Sequence, residues 1–266
     1  MSQTLEVITL AIVQGLTEFL PVSSSAHLIL VPILTGWPDQ GIAFDVAVHL
    51  GTLVAVCIYF RKEIFRLLFG FWRSISGRPS RIYSVLAWQL IIASIPIALI
   101  GFLAHDFIST TLRSPLVIAC STIFFGVLLL ASDSLRIQRK QLYQLSWKDA
   151  IIIGFAQTLA LIPGTSRSGI TLTAGLSLGF NRTCAAKFSF LLSIPVILLA
   201  GAYEGYKIVS SPDVINWGLL LLGITCAAIS AYLCIHLFFR LIRNLGMLPF
   251  VCYRFLLGGF LILMFW

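Results

Sequence analysis

The feature that most constrains this chain is a set of six apolar segments, each long enough to cross a lipid bilayer as a helix. Such a helix needs about 20 mostly apolar residues. Charged residues make up only 11% of the 266 residues, whereas a soluble domain contains about 25%. We therefore predict an all-α, polytopic membrane protein and exclude soluble enzymes, secreted disulfide scaffolds, disordered chains and coiled coils. The six segments lie at roughly 44–60, 82–104, 115–132, 188–206, 216–239 and 247–266.

Two further apolar stretches, 5–34 and 150–180, are interrupted near their middles by proline, glycine and hydroxyl residues. The interruptions begin at Pro21 and at Pro163. Proline disfavours helical backbone in the residue before it and removes a hydrogen bond from the helix. We expect each stretch to form a half-helix, a turn and a second half-helix, which together make a re-entrant hairpin. Irregular backbone at membrane depth is tolerated only inside protein or beside a wet cavity.

The distribution of lysine and arginine orients this arrangement. With six spans and two re-entrant hairpins, 14 of the 18 basic residues fall on one side of the membrane. Basic residues are enriched in cytoplasmic loops, so this side should be cytoplasmic and both termini should lie outside. The net charge of +8 has the same origin, and we expect no nucleic-acid partner. The 14 residues are Arg61, Lys62, Arg66, Arg73, Arg78, Arg81, Arg136, Arg139, Lys140, Lys148, Arg182, Lys187, Arg240 and Arg243; Arg113 and Lys207 lie on the other side, and Arg167 and Arg254 within the membrane.

The same count of segments predicts an internal repeat within one membrane domain, 1–266. Each half, 1–132 and 150–266, contains one hairpin followed by three spans. Three is odd, so the second half would be inverted relative to the first. An alignment of Pro21 with Pro163 pairs Ser24 with Ser166. Inverted repeats with broken helices place a binding site near the midplane, where the N-termini of half-helices face an anion.

The first hairpin concentrates groups that can carry chemistry. Gln14 and Glu18 are four residues apart and share a helix face. His27 follows Ser24 by three residues and Ser23 by four. An ionisable residue within a membrane costs about 2.5–3.5 kcal/mol on insertion scales and usually has a function. The structural alternative is a polar kink, with Glu18 near the interface and His27 satisfied by a carbonyl.

The second hairpin contains Ser166, Arg167 and Ser168 directly after the proline–glycine pair, followed by Thr171. An arginine presents a planar fork of donors that suits phosphate oxygens. The turn precedes a helix start, where unpaired N–H groups favour an anion. For the serines alone, the structural alternative is helix capping.

Three other ionisable residues have open roles. Asp45 and His49 are four residues apart at the start of the first span, and we interpret them as an interfacial pair rather than as support for the site. Arg254 falls inside the last span and would either face the cavity or pair with Glu204.

Together these residues predict phosphoryl chemistry inside a membrane. A serine with a neighbouring histidine and glutamate can supply a nucleophile and acid–base groups. We assign Ser24, His27, Glu18 and Arg167 to catalysis. The residues assigned to substrate binding are Gln14, Ser25, Ser166, Ser168 and Thr171.

The segments QGLTEFLPVSSSAH and PGTSRSGIT resemble the two signature motifs of the bacterial undecaprenyl-diphosphate phosphatases, the bacitracin-resistance proteins. Ser25 and Ala26 depart mildly, because threonine and glycine are frequent at these positions. The resemblance implies hydrolysis of a C55 lipid diphosphate to the monophosphate, which recycles the carrier for peptidoglycan synthesis. It also implies a bacterial plasma membrane, an outward-facing site and a divalent cation, Mg²⁺ or Ca²⁺, with Glu18 as one candidate ligand. The family's functional residues correspond to Glu18, Ser24, His27, Ser166 and Arg167, supported by Gln14 and Ser25.

Two questions stay open at this point. Ser24 is our preferred nucleophile, but a scheme with His27 as nucleophile and Glu18 as metal ligand has the same residues available. A transporter or flippase of polyprenyl phosphate lipids would use the same anion site, because inverted repeats and broken helices are transporter features. Pure transport does not require the cluster of Ser24, His27 and Glu18. The sequence leaves a homodimer open.

Overall fold

A computed structural model describes residues 3–78, 81–104, 112, 114–134, 140–209 and 216–266, with only the backbone described at 81 and 207–209. Arg113, Arg136 and Arg139, used above for orientation, lie outside the described residues, as does the side chain of Lys207. The described chain is α-helical without β-strands. Its helices are α1 (Gln3–Thr17), α2 (Ser24–Thr35), α3 (Gly41–Tyr59), α4 (Arg61–Ile75), α5 (Arg81–Leu103), α6 (Pro115–Ser134), α7 (Trp147–Thr158), α8 (Arg167–Ser177), α9 (Arg182–Val209), α10 (Trp217–Asn244) and α11 (Leu248–Phe265).

Six of these helices, α3, α5, α6, α9, α10 and α11, are long and apolar enough to cross a membrane, which confirms the predicted number. Two predicted boundaries are wrong. The fourth candidate span begins at Arg182 rather than at 188, and the fifth ends at Asn244 rather than at 239. An apolar segment marks only the part of a helix that can lie in hydrocarbon, whereas helical hydrogen bonding continues into polar residues at either end. The outward surfaces of the six helices present large exposed hydrophobic side chains, among them Ile58, Phe102, Phe124, Leu233 and Leu263. The chain is a multi-pass membrane protein.

The segment between the first two predicted spans is mostly helical, because α4 occupies Arg61–Ile75. Its Leu67 and Gly70 are buried, and the Gly70 carbonyl accepts a 2.7 Å hydrogen bond from the Ser84 hydroxyl of α5. The opposite face exposes Phe65 and Trp72. A helix with basic residues and an exposed apolar face is typical of a membrane interface.

Small residues let α1 and α3 lie close to α10. A Cβ atom added at Gly15 of α1 would lie 2.6 Å from the Ala227 carbonyl oxygen and 2.8 Å from the Ala231 nitrogen. At Gly51 of α3 it would lie 2.9 Å from the Ala227 Cβ. Close backbone approach at small residues is the usual way in which helices associate within membranes. This packing fixes the end of α1, where the first interrupted stretch turns.

Both interrupted stretches break where the prolines predict. The first turn, residues 18–23, separates α1 from α2; the second turn, residues 162–166, separates a short 3₁₀ segment at the end of α7 from α8. In each pair the second helix packs back against the first. The N-caps are Ser23 and Ser166, and among the described residues these two alone combine a side chain with positive φ, at 73° and 70°. The predicted pairing of Ser24 with Ser166 is therefore wrong by one residue, because the second turn has one more residue between its proline and its cap.

Candidate active site

Two strained helix starts define the site. A positive φ is costly for a residue with a side chain and clusters at functional sites. The Ser23 hydroxyl accepts a hydrogen bond from the Ala26 N–H at 3.4 Å, and the Ser166 hydroxyl accepts one from the Gly169 N–H at 3.1 Å. These caps offset part of the strain by satisfying free N–H groups at the start of α2 and α8. The capping alternative raised for the serines of the second hairpin is thus correct for Ser166, and Ser23 caps α2 in the same way.

The first residues of the two capped helices meet at one carboxylate. Ser24, which begins α2, donates its hydroxyl hydrogen to Glu18 Oε2 at 2.5 Å. Arg167, which begins α8, donates from Nη2 to Glu18 Oε1 at 3.0 Å. Gln14 donates to Oε2 from one turn earlier in α1, at 2.9 Å. Glu18 is only 7% exposed, so this carboxylate is satisfied almost entirely by protein groups.

His49 is the histidine nearest to this carboxylate. Its Nε2 lies 3.6 Å from Glu18 Oε2. Its Nδ1 lies 2.7 Å from the Asp45 carbonyl oxygen, and since a carbonyl only accepts, Nδ1 carries a hydrogen. This contact with Asp45 is to its backbone carbonyl, while Nε2 on the other side of the ring faces Glu18. Sequence spacing shows only neighbours on α3, so the approach of α3 to the first turn was not visible there.

His27 occupies a different environment. Its Nδ1 donates to the Ser23 carbonyl at 2.7 Å, and its Nε2 lies 2.5 Å from the Tyr253 hydroxyl of α11. The two rings are stacked, with centroids 5.7 Å apart. Both ring nitrogens thus have partners, and His27 links the first turn to α11. The structural alternative, in which a carbonyl satisfies His27, describes this geometry.

The residues assigned to substrate binding fall into two groups. Ser25 and Ser166 line the same cavity as Glu18 and Ser24. Ser168 and Thr171 are each 1% exposed and form hydrogen bonds to other segments of the protein. The Ser168 hydroxyl donates to the Leu20 carbonyl of the first turn at 2.8 Å, and Thr171 shares a 2.7 Å hydrogen bond with Ser189 of α9.

Neither predicted role of Arg254 is correct. Its guanidinium is completely buried and donates to four backbone carbonyls instead of to Glu204. The acceptors belong to Thr122 at 2.9 Å, Pro21 at 3.1 Å, Gly164 at 3.0 Å and Thr165 at 3.0 Å. It lies behind the cavity, between α6 and both turns.

The cavity itself combines a polar end with an apolar end. It has a volume of about 430 Å³, and its polar wall includes Glu18, Ser24, Ser25, His49, Ser166 and Arg167. A second cavity of about 370 Å³ runs between α5 and α9. The two share Ile97, Val196, Ala200 and Glu204. A polar headgroup joined to an apolar chain matches this shape.

The side chains do not form a metal site by themselves. Within the described ranges, no three His, Cys, Asp or Glu side chains lie close enough together to hold a metal ion. Both Glu18 oxygens also accept hydrogen bonds from protein donors. The cation that the resemblance implies therefore has no preformed set of protein ligands here.

Known proteins are similar to this chain over almost its whole length. The model of the bacitracin resistance protein BacA family matches residues 7–260. An undecaprenyl-diphosphatase of Thioalkalivibrio sulfidiphilus is 54% identical over 262 residues, which cover 98% of both chains. Undecaprenyl-diphosphatase 1 of Pseudoalteromonas translucida is 53% identical and the Teredinibacter turnerae enzyme 55% identical, each over 254 residues and 96% of both chains. This chain belongs to the BacA family.

Proposed function

We propose that this protein is an integral membrane phosphatase that hydrolyses undecaprenyl diphosphate to undecaprenyl phosphate and phosphate. The observation that supports this most directly is the 2.5 Å hydrogen bond from the Ser24 hydroxyl to Glu18 Oε2. It joins a nucleophile to a base, and Arg167 lies on the other oxygen of the same carboxylate. The relatives named above carry the same activity in their names. Such an activity would recycle the lipid carrier for peptidoglycan synthesis and confer bacitracin resistance.

The arrangement supports a two-step mechanism. Ser24 Oγ attacks the terminal phosphorus while its proton passes to Glu18, and the bond to the lipid monophosphate breaks. Glu18 releases this proton to the departing lipid monophosphate and is a base again. Water then attacks the phosphoserine, Glu18 takes a proton from the water, and that proton passes to Ser24 Oγ as the Oγ–P bond breaks and phosphate leaves. Arg167 and the free amides at the start of α8 stabilise charge on the transferring group.

The histidines take separate roles in this proposal. His49 faces the oxygen that receives the Ser24 proton, so we assign it to support of Glu18. His27 is assigned to holding the first turn, because both its nitrogens already have partners. The same contacts argue against the scheme in which His27 is the nucleophile.

A lipid substrate follows from the two connected cavities. The diphosphate would occupy the polar end beside Ser24 and Arg167, and the first isoprene units would follow the apolar cavity between α5 and α9. We propose that a divalent cation accompanies the diphosphate. It would be held chiefly by diphosphate oxygens, as Mg²⁺ often is, with at most one carboxylate of the cavity, Glu18, Asp45 or Glu204.

We also propose that 5–34 and 150–180 are re-entrant hairpins of an inverted repeat in the bacterial inner membrane, with the cavity open to the outer side. The two turns support this by their matched caps, Ser23 and Ser166. The corresponding first helical residues are then Ser24 and Arg167. The clustering of basic residues on one side supports the orientation.

The test is release of phosphate from undecaprenyl diphosphate by the purified protein in detergent. Ser24→Ala should lower kcat by about a thousandfold or more, since it removes the nucleophile. Ser132→Ala is the matched control and should retain most activity, because Ser132 is a buried serine of α6 that bonds to the Leu129 carbonyl and does not line the cavity. An acid-stable, base-labile phospho-enzyme should be trapped in the wild type and not in Ser24→Ala.

Two outcomes would contradict the proposal. An acid-labile adduct at His27 would transfer the nucleophile to the histidine. Binding of the lipid without phosphate release would favour the transporter alternative, because detergent solution has no second compartment and transport needs an anion site but no nucleophile.

A further inference from the structure

We propose that Arg254 is a positioning residue of the active site, which holds the two turns in register and orients a backbone donor toward the substrate phosphate. This inference rests on the phosphatase function proposed above. Nothing in the mechanism uses Arg254 directly, and it does not line the cavity.

The hydrogen bonds of Arg254 join three parts of the fold. Nη1 donates to the Pro21 carbonyl of the first turn and to the Thr165 carbonyl of the second. Nη2 donates to the Gly164 carbonyl, and Nε to the Thr122 carbonyl of α6. One guanidinium thus fixes the separation of the two turns. The residues that follow those turns are Ser24 and Arg167, so the same bonds fix nucleophile and anion-binding group relative to each other.

The surroundings of Arg254 are shaped for a guanidinium. A Cβ atom at Gly169 would lie 3.1 Å from Nη1, and one at Gly126 would lie 3.4 Å from Nε. A buried charge is costly unless it is hydrogen-bonded, and carbonyl oxygens supply that compensation here. A carboxylate would neutralise the cation, whereas carbonyls leave its positive charge available behind the anion site.

The hydrogen bond from Arg254 to the Thr165 carbonyl also sets the direction of the next N–H group, that of Ser166. In a trans peptide the C=O and the following N–H point in opposite directions, and none of the described peptide bonds is cis. The Thr165 carbonyl points toward Arg254, so the Ser166 N–H points away from Arg254. Ser166 lines the cavity next to Arg167. This amide is therefore placed as a donor for an oxygen of the transferring phosphoryl group.

The neighbouring residue makes the matching contact on the other turn. Tyr253 bonds to His27 Nε2, and His27 Nδ1 bonds to the Ser23 carbonyl. Two consecutive residues of α11 therefore hold the backbone of both capping serines, Ser23 through His27 and Ser166 through its peptide bond with Thr165. In this way α11 holds both turns of the site in place.

The test compares Arg254→Met and Arg254→Lys with Arg182→Met. Arg182 is the control because it too is an arginine with bidentate hydrogen bonds, to Asp133 at 2.6 and 2.9 Å, but it lies outside the site. Thermal stability, kcat, KM and inhibition by vanadate, which imitates the transferring phosphoryl group, are measured in detergent. Activity is assayed well below the melting temperature of each variant.

Arg254→Met should lower kcat about a hundredfold or more and weaken vanadate inhibition, because loss of one oriented oxyanion donor costs about 10²–10³ in kcat. Arg254→Lys keeps the charge but reaches fewer carbonyls, and should lie between Met and wild type. Arg182→Met should lower stability with kcat within about threefold of wild type.

If Arg254→Met does not fold, the folded Arg254→Lys variant decides the matter through its kcat and vanadate inhibition. The inference is overturned if the folded variants keep wild-type kcat and vanadate inhibition, or if they lose activity only in proportion to stability, as Arg182→Met does. Failure of the phosphatase proposal is distinguishable, because the wild type would then release no phosphate.

Discussion

At the scale of single residues, the Glu18 carboxylate accepts hydrogen bonds from both halves of the chain. Its carboxylate accepts from Gln14 and Ser24 on one side and from Arg167 on the other. The last contact spans 149 residues of sequence. Arg167 balances the buried negative charge, while the short bond to Ser24 keeps one oxygen ready for a proton. Removal of this charge should therefore affect catalysis more than folding.

Glu18→Gln tests that statement. Glutamine keeps the size and some hydrogen bonds, but it cannot take the Ser24 proton or balance Arg167. We expect kcat to fall by about 10²–10⁴, the usual contribution of a general base. Steady-state phosphate release measures it. Glu6→Gln is the matched control, because Glu6 is another buried carboxylate, located on α1, 8% exposed and bonded to Gln40. Equal kcat values for the two variants would leave Glu18 with a structural role only.

His49 gives a second test at this scale. We expect His49→Ala to lower kcat by up to about fivefold, because its Nε2 lies 3.6 Å from Glu18 Oε2, beyond hydrogen-bond distance, and a partly exposed ion pair contributes about 0.2–1 kcal/mol. His49→Gln should lose less, since its amide can still contact Glu18. Kinetics of both variants are compared with His236→Ala, an exposed histidine on α10. Loss of activity no greater than in that control would remove His49 from the site.

The sequence predicted three residues that the structure brings together, but not the different surroundings of the two histidines. Glu18, Ser24 and Arg167 stand in or beside turns, where a proline and a capping serine mark the backbone break, and the structure brings them together. His27 is close to Ser24 in sequence, yet its ring turns toward Tyr253. His49 is distant in sequence and reaches Glu18 because α3 packs on α1. Sequence spacing reports only contacts along one helix.

At the scale of elements, the close contact of α1 with α10 places the end of α1 and therefore Glu18. Gly15 makes this contact possible, because a Cβ atom there would come within 2.6 Å of the Ala227 carbonyl oxygen. The α10 backbone cannot move aside without disturbing its own hydrogen bonds. A single methyl group at Gly15 should thus act on both stability and the position of the first turn.

Gly15→Ala should lower the free energy of unfolding by about 1–3 kcal/mol, the usual cost of overpacking, and should reduce kcat as α1 shifts. Thermal denaturation in detergent and phosphate release measure the two effects. Gly205→Ala in α9 is the matched control, because a Cβ atom there meets nothing within 4 Å. It should be neutral or stabilising by up to about 1 kcal/mol. If both variants melt at the wild-type temperature, the contact between α1 and α10 is not close enough to matter.

The elements that could be predicted are those whose cause lies in local sequence. Hydrophobic length found six candidate spans, and proline found both turns. The helix α4 was missed because its apolar residues alternate with basic ones, which shortens every apolar run. The alignment of Pro21 with Pro163 is one residue out of step with the caps, because the residues that share a positive φ and cap a helix are Ser23 and Ser166.

At the scale of the whole molecule, topology and chemistry constrain each other. In the inverted repeat that we propose, two half-helix starts would reach one point from opposite sides of the membrane, and Ser24 and Arg167 are the first residues of those two helices. If the two halves instead had the same orientation, both interrupted stretches would have to enter the membrane from the same side for their turns to lie at the same depth. The basic residues then determine which side is cytoplasmic, and with it the side on which the termini lie.

We expect both termini to lie outside the cytoplasm, because 14 of the 18 basic residues belong to the opposite side in this topology. A reporter that is active only in the cytoplasm should be inactive when fused before Met1 or after Trp266. The same reporter inserted within residues 135–139, which include Arg136 and Arg139, should be active, and its activity would show that the fusion protein is made and folded. Activity at both termini with none at 135–139 would reverse the orientation. Activity at only one terminus would mean that one interrupted stretch crosses the membrane completely, which would remove the inverted repeat.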